Sequence, residues 1–203
     1  MASVNREQLF FELSSQETTT RELSTQFVRE EYLIPAAETM QRAFETHDVT
    51  VEIGEGISAS NYSNTLRGKF GDGSYQNLFS FIGFFAGDSP TDYIRPLLQI
   101  GHPSGPQLKY ISAIKRRLKY RFQILGPEVQ DIYNATPMPW ANGLSWAERI
   151  ERGIPGLSRF LNTNKAKNSL SGGGIQIKKN IRNARFAPTS YLSEIINEFI
   201  RSV

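Results

Sequence analysis

The sequence predicts an α+β fold: a long N-terminal helix, a mostly antiparallel β-sheet with long loops, and a C-terminal amphipathic helix. Three observations predict it. Apolar residues recur at three- and four-residue intervals over 21–46, the mark of a helix with one buried face. Apolar and basic residues alternate over 115–125, the mark of a strand. A second helical stripe closes the chain at Tyr191, Leu192, Ile195, Ile196, Phe199 and Ile200. An arrangement of alternating β and α units around a parallel sheet finds too few strand–helix pairs.

In order along the chain, residues 6–13 suit a short helix, and the run SSQETTT reads as its break. Residues 1–20 form an N-terminal arm on this reading. The stripe of the long helix is Leu23, Phe27, Tyr32, Leu33, Ala36, Ala37, Met40 and Phe44, with Thr19 or Thr20 as the cap. Pro35 lies inside it and predicts a kink or break near Leu33. VTVEI (49–53) is strand-like in composition. Residues 54–76, rich in Gly, Ser and Asn, read as a flexible loop. In 77–90 the cluster Leu78, Phe79, Phe81, Ile82, Phe84 and Phe85 reads as core, with a partly exposed patch as the alternative. Asp88, Ser89 or Thr91 is expected to cap a short helix reaching Leu97 and Leu98.

Residues 108–125 fit both periods. The strand is preferred from Lys115 to Leu125, because Tyr120, Phe122 and Ile124 favour it and Gly126–Pro127 stops it. Ile114, Leu118, Tyr120, Phe122 and Ile124 then face one way, and Lys115, Arg117, Lys119 and Arg121 the other. Residues 127–135 suit a short helix with proline in its first turn. TPMPWANGLSW reads as irregular, and 146–153 as helix or strand. Residues 162–174 read as a flexible connector, 175–181 as a strand, and 189–200 as a helix capped by Thr189 or Ser190. All of this forms one domain spanning residues 1–203.

Net charge is +3, with 23 Lys and Arg against 20 Asp and Glu, but the halves differ. Residues 1–100 hold 7 basic and 14 acidic groups, and residues 101–203 hold 16 and 6. The split permits a basic surface for nucleic acid or head-to-tail association of copies. The chain has no cysteine, which removes disulfides, thiolate metal sites and a cysteine nucleophile. No secretory leader or membrane-spanning run is read, so a soluble chain made in the cytoplasm is expected.

Catalytic motifs are missing. The two histidines, His47 and His102, form no metal-ligand spacing, and no metal or cofactor is expected. His47 falls at a helix end, where the dipole favours protonation. The carboxylate pairs Glu148/Glu151 and Glu194/Glu198 read as solvated helix faces. Gly172, Gly173 and Gly174 precede a strand rather than a helix and lack the Lys-Ser/Thr pair of a phosphate loop, so they read as a connector. The basic rows at 115–121 and 178–185, the latter including Lys178 and Lys179, would form one phosphate-attracting face if both lay in one sheet.

Residues 136–161 carry a recognisable pattern: Thr136-Pro137-Met138-Pro139-Trp140, Gly143-Leu144-Ser145-Trp146 and Glu151-Arg152-Gly153-Ile154-Pro155-Gly156-Leu157. With Ser169 through Gln176 and the earlier NLFSFIGFFAGDSP, it resembles a group of tailed-bacteriophage virion proteins of the neck and tail-completion kind. Leu144 and Leu170 stand where that group tends to carry basic residues. The resemblance implies a non-enzymatic structural protein. It implies a homo-oligomeric ring in the virion neck, between portal-side and tail proteins, assembled in the host cytoplasm. DNA would pass through its channel, and no membrane is involved. The surfaces it points to are Lys115, Arg117, Lys119, Arg121, Trp140, Trp146, Gly172, Gly173, Gly174, Lys178 and Lys179. The competing expectation is a cytoplasmic nucleic-acid-binding protein using the basic strands 115–121 and 178–185.

Overall fold

The computed structural model describes residues 6–67, 77–114, 119–139, 141–153, 161–162, 175–176, 185–186 and 188–203. The fold is α+β, opening on a long helical N-terminal region and closing on an amphipathic helix. Helix α1 (Arg6–Val28) runs without a break through SSQETTT, contrary to the expected interruption. Just beyond that run the helix absorbs hydroxyl groups itself: Ser24 Oγ donates to the Thr20 carbonyl and Thr25 Oγ1 to that of Arg21, each at 2.7 Å.

The interruption expected at Pro35 takes the form of a π-helical turn, Arg29–Leu33, followed by α2 (Ile34–Thr46). Proline lacks the N–H that an α-helix would use there, and the Ile34 N–H instead bonds back to the Arg29 carbonyl. Beyond this turn the helix becomes buried on one side, through Ala36, Ala37, Met40 and Phe44.

Residues 49–53 are not a strand. They lie in α3 (Asp48–Gly54). Val49 and Ile53, four residues apart, enter the core, while Thr50 and Glu52 are buried against polar partners. Tertiary packing overrides the β-branched composition because a helix aims all four side chains at partners, which a strand's two-sided alternation would not.

The β structure is four separate two-stranded antiparallel ladders rather than one sheet among the described residues. β1 (Leu66–Arg67) pairs with β8 (Arg185–Phe186), and β6 (Leu161–Asn162) with β7 (Ile175–Gln176). β2 (Gln107–Ile114) and β3 (Lys119–Leu125) form the longest ladder. The single strand expected over 115–125 is therefore the second arm of a hairpin, and Ile114 pairs with Lys119. TPMPWANGLSW, read as irregular, contains the short hairpin of β4 (Pro137–Met138) and β5 (Ala141–Ser145). Helices α4 (Leu78–Ile82), α5 (Val129–Ala135) and α6 (Trp146–Arg152) are short, and two 3-10 turns, Pro90–Tyr93 and Arg95–Leu98, replace the helix expected there. No side chain caps the first of these turns, since Asp88 Oδ2 instead accepts from the Phe85 N–H at 2.8 Å.

The core forms where α7 (Leu192–Ser202) crosses α2. Leu192, Ile195, Ile196 and Phe199 are buried as the stripe predicts, but Ile200 is exposed and neither Thr189 nor Ser190 caps the helix. The aromatic cluster is core at Leu78, Phe79, Phe81 and Ile82, whereas Phe85 is 75% exposed. Gly83 ends α4 in the left-handed region, with φ of 89°. A Cβ at Gly126 would stand 3.3 Å from the Phe199 ring, so glycine lets the base of the β2–β3 ribbon approach α7.

Glu52 is fully buried without a basic partner among the described residues. Its carboxylate is satisfied by three donors. Ser63 gives its N–H (2.9 Å) and its hydroxyl (2.6 Å), and Leu78 gives its N–H at 2.6 Å. Asn77 completes the junction: Oδ1 caps α4 through the Ser80 N–H, and Nδ2 donates to the carbonyls of Ile57 and Ala59. Glu52→Gln would present an amide N–H to these donors. A loss of about 2–3 kcal/mol in urea unfolding is expected. A variant within about 0.5 kcal/mol of the parent would show that the carboxylate does not organise this junction.

Candidate functional site

Three of the sequence-derived surface residues, Lys119, Arg121 and Trp146, lie among the described residues. Arg121 is exposed on β3, and Lys119 opens that strand. Lys115, Arg117, Trp140, Gly172, Gly173, Gly174, Lys178 and Lys179 lie outside the described residues. Trp146 is no surface residue: it is 1% exposed and belongs to the core. It opens α6 behind the Ser145 cap and meets Phe84 edge-to-face at 5.9 Å. Its aromatic area is spent on Phe84 and the core, which removes it as a contact for partners. Of the second basic row, 178–185, Arg185 alone is among the described residues, where it pairs with Arg67 in the β1–β8 ladder.

The β2–β3 ribbon is the main exposed feature. Leu108 and Ile124 at its base pack on the core. Tyr120, Phe122 and Ile124 face the half-buried side and Arg121 and Gln123 face solvent, so the predicted alternation holds within β3. Register shifts between Tyr110 and Ser112, leaving Ile111 unpaired and 43% exposed. Tyr110 stacks edge-on with Phe122 across the strands at 5.8 Å, and the Arg21 guanidinium lies 5.5 Å above the Tyr110 ring. The Tyr120 hydroxyl donates to the Glu17 carbonyl at 3.5 Å. These contacts hold the ribbon against α1. Among the described residues both outer ribbon edges are unpaired, which suits strand addition by another chain. Sequence reading had the basic row of β3 but missed Arg21, Glu17 and Tyr110. A cation–π pair between elements some 90 residues apart leaves no periodic signal.

A pocket of about 380 Å³ lies beside Trp146, lined largely by Phe84, Pro90, Tyr93, Pro137 and Pro139. Its acidic group, Asp88, is already held by the Phe85 N–H. The carboxylate pair Glu148/Glu151 is also committed. Glu148 pairs with Arg152 at 3.0 Å on the helix face, as expected. Glu151 is a staple rather than a solvated group: Oε1 accepts from the Ser193 N–H at 2.6 Å and Oε2 from the Tyr133 hydroxyl. Burial first, and this carboxylate second, raise the Tyr133 phenol above its ordinary value, so it stays a donor. Among the described residues no group of three or more His, Cys, Asp and Glu can hold a metal.

His47 sits between α2 and α3, but at the start of the second helix its role inverts the dipole expectation. Nδ1 accepts from the Val49 N–H at 3.2 Å, which requires an unprotonated nitrogen. The ring lies 4.9 Å from that of Tyr191, whose buried hydroxyl shares a 2.7 Å hydrogen bond with Thr50. Burial holds the imidazole below 6.5, against the opposing pull of Asp48, Glu194 and Glu151 and a hydrogen bond with the Ser190 backbone. The unfolded chain thus binds the proton more readily. The stability this confers is present above pH 6.5 and is lost as pH falls through that value toward the depressed one. The melting temperature should drop between pH 7.5 and 5.5, and drop less in His47→Asn, which keeps a capping acceptor without titrating. Parallel pH profiles would clear the imidazole of this role.

Comparison with protein-family models, curated proteins and solved structures finds no match to this chain.

Proposed function

We propose that this protein is a non-enzymatic structural subunit of a tailed-phage virion. Copies associate into a ring in the neck, completing the tail and joining it to the head. The observation that carries the reading is the β2–β3 ribbon, anchored at its base and on α1, with edges unpaired among the described residues and with Tyr110, Ile111 and Arg121 exposed. Such an edge is an assembly surface: backbone hydrogen bonds supply affinity and alternate side chains supply register. A second support is the Phe84–Trp146 contact. It joins two of the sequence blocks on which the resemblance to neck proteins rests, 62 residues apart, into one packed unit. Mass spectrometry and imaging of purified particles test the proposal. The chain is expected in the mature virion at the head–tail junction, and its absence there would sink the idea.

One observation favours nucleic-acid binding as a second reading. Exposed Arg121 lies on the same ribbon as the exposed aromatic Tyr110. The sequence between the paired ends of that ribbon is Lys115, Arg116, Arg117 and Leu118. A phosphate-binding ribbon would hold duplex or single-stranded DNA at low salt, and Arg121→Ala would reduce the slope of log affinity against log salt by about one contact. No binding at 20 to 50 mM salt, roughly where phosphate contacts are strongest, would remove this reading.

A further inference from the structure

Among the described residues, the N-terminal helical region between Glu17 and Tyr32 meets its own chain on one side, that of Tyr110 and Tyr120. The remaining surface carries large apolar groups: Leu23 is 62% exposed, Phe27 58% and Tyr32 51%. The π turn makes these a ridge. Its wider winding brings Tyr32, five residues on, edge-to-face with Phe27 at 6.2 Å. A soluble helix presenting such a ridge calls for a cover.

The charges beside the ridge indicate which cover. Residues 21–30 read RELSTQFVRE, so Arg-Glu opens the segment and Arg-Glu closes it. Glu22 and Arg29 have no partner among the described residues, and Glu30 takes only the Gln26 amide, at 2.9 Å. Alongside a parallel, in-register copy, arginine would lie level with arginine and glutamate with glutamate. Alongside an antiparallel copy centred between Thr25 and Gln26, Glu22 lies level with Arg29 of the other copy, while Arg21 stays on Tyr110 of its own chain. In the same register Leu23 comes within one residue of the other Phe27, a mismatch of about 1.5 Å along the axis.

We propose that a second copy of this chain docks antiparallel on this helix, about a two-fold axis between Thr25 and Gln26. Every contact is then made twice, as an isologous interface requires. Leu23 and Phe27 form the apolar seam, and the two Glu22–Arg29 pairs flank it and set its register. The pairing is a property of the free chain and does not rest on the virion reading, because a ring of one polarity is closed by heterologous contacts instead.

Sedimentation velocity of the full-length chain tests the proposal. A concentration-dependent dimer is expected, weaker at high salt. Glu22→Arg or Arg29→Glu alone, each setting like charges together twice, should raise the dimer Kd about tenfold. The two together restore opposite charges and should return it to within about threefold of the parent. Phe27→Ser should abolish the dimer. All three positions are exposed, so unchanged melting temperatures will show the fold intact. Because the chain has no cysteine, single cysteines report geometry cleanly. Gln26→Cys, beside the axis, should crosslink to itself on oxidation, and Thr18→Cys, about 20 Å from its counterpart, should not. A monomer at all concentrations, a dimer indifferent to Phe27→Ser, a double reversal as weak as the singles, or crosslinking through Thr18→Cys would each overturn the proposal.

Discussion

A buried carboxylate must be surrounded by donors where no cation meets it, and among the described residues Glu52 is such a group. Its two oxygens collect Ser63 and the first N–H of α4, and so draw the segment after α3 and the start of α4 onto one point. From there the constraint passes outward through packing. α4, held at its N-terminus by Glu52 and Asn77, presents Phe79 to Phe84 at 5.3 Å, and Phe84 in turn receives Trp146. Trp146 sets the start of α6, and Glu151 at its far end ties α5 and the N-terminus of α7 together. A chain with few long elements thus becomes one core by joining short helices through buried polar groups, each with its hydrogen bonds complete.

The N-terminal region follows a different logic. α2 is one-sidedly buried, but α1 before the π turn keeps most of its surface exposed, although both continue one helical path. Pro35 marks the change. The residues before it answer to the β2–β3 ribbon along one line of contact and otherwise to whatever meets them from outside. Ribbon and helix brace one another through Arg21 and Tyr110, so two elements that would be poorly supported singly form one exposed unit. Assembly surfaces are commonly built this way, on regular elements rooted in a core but carrying their apolar groups outward.

Much of the fold was legible in the sequence because it rests on local period. The stripes of α2 and α7, the alternation of β3 and the interruption before Pro35 all follow from spacing and backbone chemistry, whereas α5 starts only at Val129, past the Pro127 expected in its first turn. The misreadings have physical causes. SSQETTT looks like a breaker because hydroxyls compete for backbone groups, yet a helix can take such bonds at the carbonyl four residues back, as it does for Ser24 and Thr25. VTVEI looks like a strand until its polar members are given buried partners. Trp146 looks like a surface aromatic in a proline-rich stretch until Phe84 closes over it.

By itself, therefore, the sequence determined the class, the two principal amphipathic helices, the charge asymmetry and the want of any familiar catalytic pattern. These are properties of neighbours in the chain, and spacing records them. Tertiary structure alone decided that Glu52 and Glu151 are staples, that His47 caps a helix with an unprotonated nitrogen, and that Trp146 is core. The two glutamates depend on partners 11 to 42 residues away, and the states of His47 and Trp146 on burial; neither leaves a trace in local period.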